Sequence, residues 1–478
     1  MPVNNFGNNI SINKNLNIDG GIQTLTGSIG WENTDNYYSL NLSNRSSFQV
    51  TVNGLSANLD MQVLDSNGSV VTGSYNRRSR SESIITTLDA GSYYIKVYKA
   101  GHRISDYNLK FNSYATATSA NSWFNANIQD TGIRANSESA FADKAIDRNE
   151  AIAILRGSED GGVVDATEFA DLKTLLVNAS MLGIPDYVRV LTNKVVNGDF
   201  ANQEYQGNPL GNLAAGSSST QMESLINKWF LGSDRPITPY QYQYASGSLF
   251  QNGVSYQDIK QGQMNDCFLM VGLAATAVHS PSTIEKMFID NGDNTFTVRF
   301  GRNQAAADYV TVDRYLPTNS LGSFVYASKG NLYNNPGNEL WVALAEKAYA
   351  QLNQSGWINQ NNTNSYSGIG DGGYISDALT HITGYNASLG NLLNFDSIVK
   401  AINSGEWIGL GTKSIVQSSN IVAGHAYTLV AYNSGNQKFT LFNPWGIDTS
   451  SSKPGILELT WSEIQSNFSY WDATKIYT

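Results

Sequence analysis

The chain has 478 residues, a net charge of −10, one cysteine and four histidines. That charge leaves no basic stripe to neutralise phosphates and so excludes a nucleic-acid partner, while a lone cysteine excludes an intramolecular disulfide framework. No apolar run reaches the roughly 18 residues of a membrane span, and the length corresponds to roughly three domains.

Residues 1–17 are rich in Asn and lack the apolar segment of a secretory signal. They predict a flexible tail, and a protein that is cytoplasmic or exported by a route that needs no such signal. From 18 to 115 the pattern is short alternating strands between turns, such as Tyr37-Tyr38-Ser39-Leu40-Asn41-Leu42, Ser47-Phe48-Gln49-Val50-Thr51-Val52 and Tyr94-Ile95-Lys96-Val97-Tyr98. Asp65-Ser66-Asn67-Gly68 supplies a hairpin turn. The expected fold is a β-sandwich. Asp35 to Leu40, Leu59 to Asp65 and Ala90 to Val97 together resemble the bacterial pre-peptidase C-terminal domain. The resemblance implies a non-catalytic accessory of a peptidase. The basic loop between Tyr75 and Ser83 reads as solvated, with proteolytic nicking as the sharper alternative.

Ala115 to Ser122 is small and polar, as in a linker. Residues 116–245 then switch to helical spacing, with Ala151, Ile152, Leu155, Leu172, Leu175 and Leu176, and predict a helical linker or pro-region. Ser158 to Glu168 resembles a degenerate EF-hand loop, but Gly157 stands where the first carboxylate ligand belongs. A structural helix–turn–helix is therefore expected. Asn208 to Thr220 reads as a flexible connector open to cleavage.

The chemistry collects in 246–478. Cys267 opens an apolar run, Phe268 to Val278, long enough for a buried helix. A cysteine in a helix's first turn meets unpaired N–H groups and the positive end of the dipole, which favour the nucleophilic thiolate. Gln261, one loop upstream, is placed to hold an oxyanion together with the Cys267 N–H. The competing reading is a small buried hydrophobe. Of the histidines, His102 falls in the β-domain, His279 closes the Cys267 helix, His381 lies in an amphipathic segment and His425 starts an apolar strand. A turn at Asn433-Ser434-Gly435-Asn436 folds that strand onto Lys438 to Asn443. Counting back from a two-residue tip puts His425 opposite Pro444, and a one-residue bulge or a three-residue turn puts it opposite Asn443. An Asn carboxamide accepting the imidazole N–H fixes the tautomer, and Trp445 shields that bond.

In this order, Gln261-Gly262, Asp266-Cys267, Gly424-His425-Ala426-Tyr427 and Asn443-Pro444-Trp445-Gly446 resemble the calpain family of papain-like cysteine proteases. Asp313 to Thr318 and Glu339 to Ala350 are similar to further calpain segments. The resemblance implies Cys267 as nucleophile, His425 as general base and acid, Asn443 as orienter and Gln261 as oxyanion donor. It implies a substrate cleft at Gly372, Gly373 and Trp445. It also implies a Ca²⁺ site at Gln251 and Gly253 carbonyls with Asp258 and Glu346 carboxylates. Phe268 replaces the family's Trp and keeps an aromatic wall.

The sequence thus predicts a multidomain α+β chain: tail, β-sandwich, helical middle region and a two-lobed papain-like core. Its expected activity is that of a cysteine endopeptidase acting on protein substrates, self-processing from a zymogen. No cofactor is required for the chemistry, and activity varies little near neutral pH because an ion-paired Cys stays a thiolate. A transglutaminase would ordinarily use Asp where Asn443 stands. The non-enzymatic alternative is a silent calpain-fold scaffold or adhesion protein. Composition carries no signal of oligomeric state.

Overall fold

The structure is a computed structural model. It describes residues 12–16, 23–31, 33–42, 46–101, 103–115, 120–301, 307–358, 360–448 and 452–475. His102 lies outside them, as does most of the expected tail. Two compact units emerge, Met1–Ile146 with Asn178–Gly183, and Asp147–Val177 with Ile184–Thr478.

In the first unit, alternation of apolar and polar residues produces strands β1 (Ile12–Asn15), β2 (Gln23–Ile29), β3 (Asp35–Leu42), β4 (Ser46–Asn53), β5 (Leu59–Leu64), β6 (Val70–Ser74), β7 (Glu82–Leu88), β8 (Gly91–Lys99) and β9 (Ser105–Ala115). They form two sheets, ordered β1-β3-β8-β5-β6 and β2-β9-β4-β7. Phe48, Val50, Leu59, Met61, Ile95 and Leu109 point inward into one core, each fully buried side chain of this kind stabilising by about 2 kcal/mol. Gly68 takes the left-handed conformation (φ 86°) in the predicted turn, and Asp65 Oδ1 accepts from the N–H of Asn67 and Ser69, both at 2.8 Å. One expectation fails here. Ile12–Asn15, read as tail, pairs parallel to β3, because the edge of β3 offers free ladder groups. Helix α1 (Ala120–Asn127) takes up part of the predicted linker, and α2 (Thr131–Ala140) is capped by Asp130.

The second unit opens with α3 (Arg148–Gly157), β10 (Val163–Val164), α4 (Ala166–Val177), α5 (Asp186–Val196), β11 (Glu204–Tyr205), β12 (Asn208–Pro209), β13 (Ser217–Ser218) and α6 (Ser219–Trp229). The loop before α4 is a helix start. Asp165 Oδ1 accepts from the N–H of Thr167 and Glu168, and Glu168 Oε2 accepts from Asp165 N–H. Two of the four acids in 158–168, Asp165 and Glu168, are engaged in this capping box. The 208–220 stretch is not a free connector. β11 pairs with β12, β13 pairs with β10, and the Gln221 amide donates to the carbonyls of Gly211 and Asn212, each at 3.1 Å.

These helices are built into the unit that carries the rest of the chain. Lys228 is fully buried and donates to Asp234, to Gln354 Oε1 at 2.6 Å and to the Glu204 carbonyl at 2.9 Å. Lys194 pairs with Asp308 at 3.0 Å and Asp199 at 3.3 Å, and Arg148 with Asp293 at 2.9 Å.

The remaining elements are β14 (Gln241–Tyr244), α7 (Cys267–His279), α8 (Pro281–Glu285), β15 (Phe288–Asp290), β16 (Thr295–Phe300), β17 (Asp308–Asp313), β18 (Tyr315–Thr318), α9 (Trp341–Leu352), α10 (Ile375–Thr383), β19 (Ala387–Asn391), α11 (Phe395–Asn403), β20 (Ile408–Thr412), β21 (Ala426–Asn433), β22 (Lys438–Phe442), β23 (Ile456–Thr460), α12 (Trp461–Asn467) and β24 (Phe468–Thr474). Two cores result. One gathers α7, α9, α10 and the β15-β16-β17 sheet. The other lies on the antiparallel sheet β19-β24-β20-β21-β22-β23 with α11 and α12. Helix α7 is buried from Cys267 to Ala277 and packs on both α10 and β21. Its N-terminus therefore meets the start of β21, where His425 stands.

Candidate active site

Cys267 is the first residue of α7 and is buried. Its thiol accepts from the N–H of Ala426, the residue after His425. That contact places the cysteine against the entry to β21. Burial pushes the thiol up from its ordinary range, with the charge of Asp266 adding to the effect. The N–H groups of Ala426, Phe268 and Cys267 pull the other way and are outweighed. Desolvation thus opposes the thiolate that the helix start was expected to favour.

His425 precedes β21 and Asn443 follows β22. The His425 Nε2 to Asn443 Oδ1 distance is 3.0 Å. Asn443 Oδ1 also accepts from the Trp445 N–H at 3.1 Å, which fixes the carboxamide's orientation. A carbonyl oxygen only accepts, so Nε2 carries the ring proton and Nδ1 is left as the basic nitrogen. Burial lowers the imidazole to about 4, the Asn443 bond opposing that fall. Burial thus disfavours the charged form of both the thiol and the imidazole.

The hairpin that brings these two residues together differs from the predicted one. Asn433 pairs with Lys438, so the tip has four residues, and Gln437 supplies the left-handed conformation (φ 54°). A bulge falls between Leu429 and Ala431. The contact survives because both residues lie just beyond the ladder ends. Thr412 brackets His425 further. Its hydroxyl accepts from the His425 N–H and its own N–H donates to the His425 carbonyl, both at 2.8 Å. The Trp445 ring stands 5.4 Å from the imidazole and Tyr427 meets it edge-on at 5.2 Å.

Gln261 is buried in the loop before α7, and its N–H donates to the Pro444 carbonyl at 2.7 Å. Its carboxamide nitrogen donates to the Met264 carbonyl at 2.7 Å and to Asp266 Oδ1 at 3.2 Å. Both amide hydrogens are engaged inside the loop rather than aimed at the sulfur. Gly262 permits this packing, since a Cβ there would lie 2.3 Å from the Val325 carbonyl oxygen. Gly373 seats the Phe268 ring, which a Cβ would meet at 2.8 Å, and Gly372 lies beside Asn265. Both glycines therefore stand beside close sequence neighbours of Cys267.

The expected Ca²⁺ ligands do not assemble. Glu346 faces Asp266, with Oε2 accepting from the Ala327 N–H at 3.0 Å. Gln251 N–H donates instead to Glu339 Oε1 at 2.8 Å. Asp258 Oδ2 accepts from the Ser255 N–H at 2.7 Å and the Trp341 indole at 3.3 Å, and Lys329 lies 3.7 Å from Oδ1. Glu339, pushed up to about 7 by burial and by the charge of Asp258, is the acid that meets Asp258. Gly253, at φ 84°, has no neighbour close to where a Cβ would stand. Among the described residues no three His, Cys, Asp or Glu side chains gather around a common point, and Glu346 is turned to Asp266 rather than to Asp258.

Sequence reasoning passed over three neighbours of the site: Thr412, Glu346 in its actual role, and Tyr470, whose hydroxyl feels the charge of Cys267. A Glu inside the apolar helix Trp341–Leu352 was the available signal for the second.

Comparison with known proteins agrees with both expected resemblances. Residues 234–469 match the family model described as calpain family cysteine protease, and residues 34–99 match that of the bacterial pre-peptidase C-terminal domain. The calpain-type cysteine protease ADL1 of Oryza sativa subsp. japonica is 24% identical over 348 residues, covering 63% of this chain and 15% of the relative. The calpain-1 catalytic subunit of Mus musculus is 27% identical over 252 residues, covering 47% of this chain and 31% of the subunit. The chain thus spans less than a third of the length of either relative. The pre-peptidase C-terminal domain of collagenase from Bacillus anthracis is 17% identical, with a TM-score of 0.20, covering 22% of this chain and all of that structure.

Proposed function

We propose that this chain, whose residues 234–469 are a calpain-family cysteine protease domain, is an endopeptidase working through Cys267, His425 and Asn443 in a papain-like core of two lobes. The observation that carries the reading is the 3.0 Å bond from His425 Nε2 to Asn443 Oδ1 at the mouth of the helix that starts with Cys267.

His425 Nδ1 takes the thiol proton, and the sulfur attacks the peptide carbonyl carbon. The C–O π electrons move onto oxygen, where the Cys267 N–H meets them. Gln261 joins as second donor once its nitrogen leaves the Met264 carbonyl. His425 returns the proton to the leaving amine as the C–N bond breaks, leaving a thioester. It then takes a proton from water, whose oxygen attacks the thioester and frees Cys267. Trp445 covers the His425–Asn443 bond, and Gly372 and Gly373 offer backbone to the substrate.

Self-processing belongs to the same reading. The small, polar stretch 115–122 is its proposed site, because the 208–220 loop is tied down by its own ladder and amide bonds.

Incubation with labelled casein and with an epoxysuccinyl thiol reagent, alongside Cys267→Ala, tests the reading. Wild-type casein cleavage, a mass shift at Cys267 and shortening of the wild type alone are expected. A second reading, the silent scaffold, draws on the burial that disfavours the charged thiolate and imidazolium and on the engaged Gln261 amide. It predicts no labelling and identical full-length masses for the two proteins.

A further inference from the structure

Asp266 immediately precedes the nucleophile, and Glu346 projects from the middle of α9. Both side chains are fully withdrawn from water, at 0% and 1% exposure. Each has one oxygen in service. Asp266 Oδ1 accepts from the Gln261 carboxamide at 3.2 Å, and Glu346 Oε2 from the Ala327 N–H at 3.0 Å. The other two, Asp266 Oδ2 and Glu346 Oε1, are buried and receive no donor. The two carboxyl groups lie within reach of one another. Ionised carboxylates only accept, so these two oxygens can satisfy each other only if one of the two groups holds a proton.

The surroundings decide which. Neither carboxyl meets a lysine, arginine or histidine. The groups that face them are the Gln261 amide, the Ala327 N–H, the thiol of Cys267 and the phenols of Tyr326 and Tyr366. Burial raises both acids, Asp266 to about 6 and Glu346 further, with the charge on Asp266 adding to the rise in Glu346. Glu346 is the donor and Asp266 the acceptor, with one negative charge between them.

We propose that Asp266 and Glu346 share a single proton and together act as positioning residues for Gln261 and for the start of the nucleophile helix. Asp266 joins both ends of the arrangement. Its side chain holds the Gln261 amide, and its carbonyl accepts from the N–H of Leu269 at 2.9 Å and of Met270 at 3.2 Å. Loss of the shared proton at alkaline pH leaves two adjacent buried carboxylates and drives them apart. Gln261 and the Cys267 turn then lose their setting. The effect on rate rests on the peptidase reading, whereas the shared proton does not.

The test follows labelled-casein hydrolysis and thermal unfolding between about pH 6 and 10 in wild type, Glu346→Gln and Glu346→Leu. Gln at this position keeps an acceptor for Ala327 and a donor for Asp266 but has no proton to lose. In wild type, kcat and the melting temperature should both fall on the alkaline side, with KM little moved. Glu346→Gln should work within about threefold of wild type near neutrality and lack the alkaline fall, while Glu346→Leu should lose roughly tenfold or more. Superposable pH dependences of wild type and Glu346→Gln, in rate and in melting, overturn the proposal. If wild type neither cleaves casein nor is labelled at Cys267, the peptidase reading fails, and the melting comparison alone decides the shared proton.

Discussion

The N–H of Gln261 donates to the carbonyl oxygen of Pro444 at 2.7 Å, so the loop before Cys267 is laced to the residue beside Asn443 by main chain alone. No side-chain substitution removes that link. Variants at Gln261 and Asn443 should therefore leave this tie between the two loops in place.

Replacing Gln261 with Ala removes the carboxamide and keeps the backbone bond. The expected result is a roughly 100-fold fall in kcat on labelled casein with KM little changed. An unchanged kcat would show that the Cys267 N–H suffices for the oxyanion.

Asn443→Ala should be as damaging for a different reason. Oδ1 holds both the His425 ring and the Trp445 N–H, so its loss frees the tautomer and the loop together. A fall of roughly 100-fold is expected. Less than a twofold change would remove Asn443 from the mechanism.

The pH behaviour follows from burial. The raised Cys267 thiol means that alkylation of the free protein by iodoacetamide should climb with pH through the neutral range and beyond. A plateau already reached at pH 6 would instead indicate a preformed ion pair. Stability has its own pH window. His425 is lowered to about 4 in the fold, against an unfolded value of about 6.5. The native state binds this proton less readily than the unfolded chain. The stability tied to the neutral ring is complete above the unfolded value and is lost as pH falls towards 4. Urea midpoints measured from pH 7 down to 4.5 should decline, and His425→Gln should flatten the decline.

Lys228→Met tests the helical segment. It leaves Asp234 buried at 2% exposure without its cation, at a cost of about 3–5 kcal/mol. A melting temperature within a degree or two of wild type would mean that the pair contributes little.

The first unit's strands were legible because half-buried strands alternate, and Tyr38, Leu40 and Leu42 do so without interruption. The neighbourhood of His425 and Asn443 was legible in its residue types, since an imidazole N–H at the start of a strand needs an acceptor and a carboxamide on the returning strand supplies one. Its register was not. The bulge between Leu429 and Ala431 and the left-handed Gln437 have no local signature in a run such as Ala426–Asn433. The resemblance offered Glu346 as a ligand, and only packing turns it towards Asp266. The 208–220 loop was misread because its order comes from β10 and Gln221, partners outside the loop.

The match to the calpain family model begins at residue 234, but the compact body that contains it already includes residues 147–177 and everything from 184 onward. The matched segment and the unit of folding therefore have different edges. A gene fusion cut at the first would strand Asp234, Asp293 and Asp308 without Lys228, Arg148 and Lys194. Recombination, natural or engineered, should tolerate a joint ahead of Asp147 far better than one at 234.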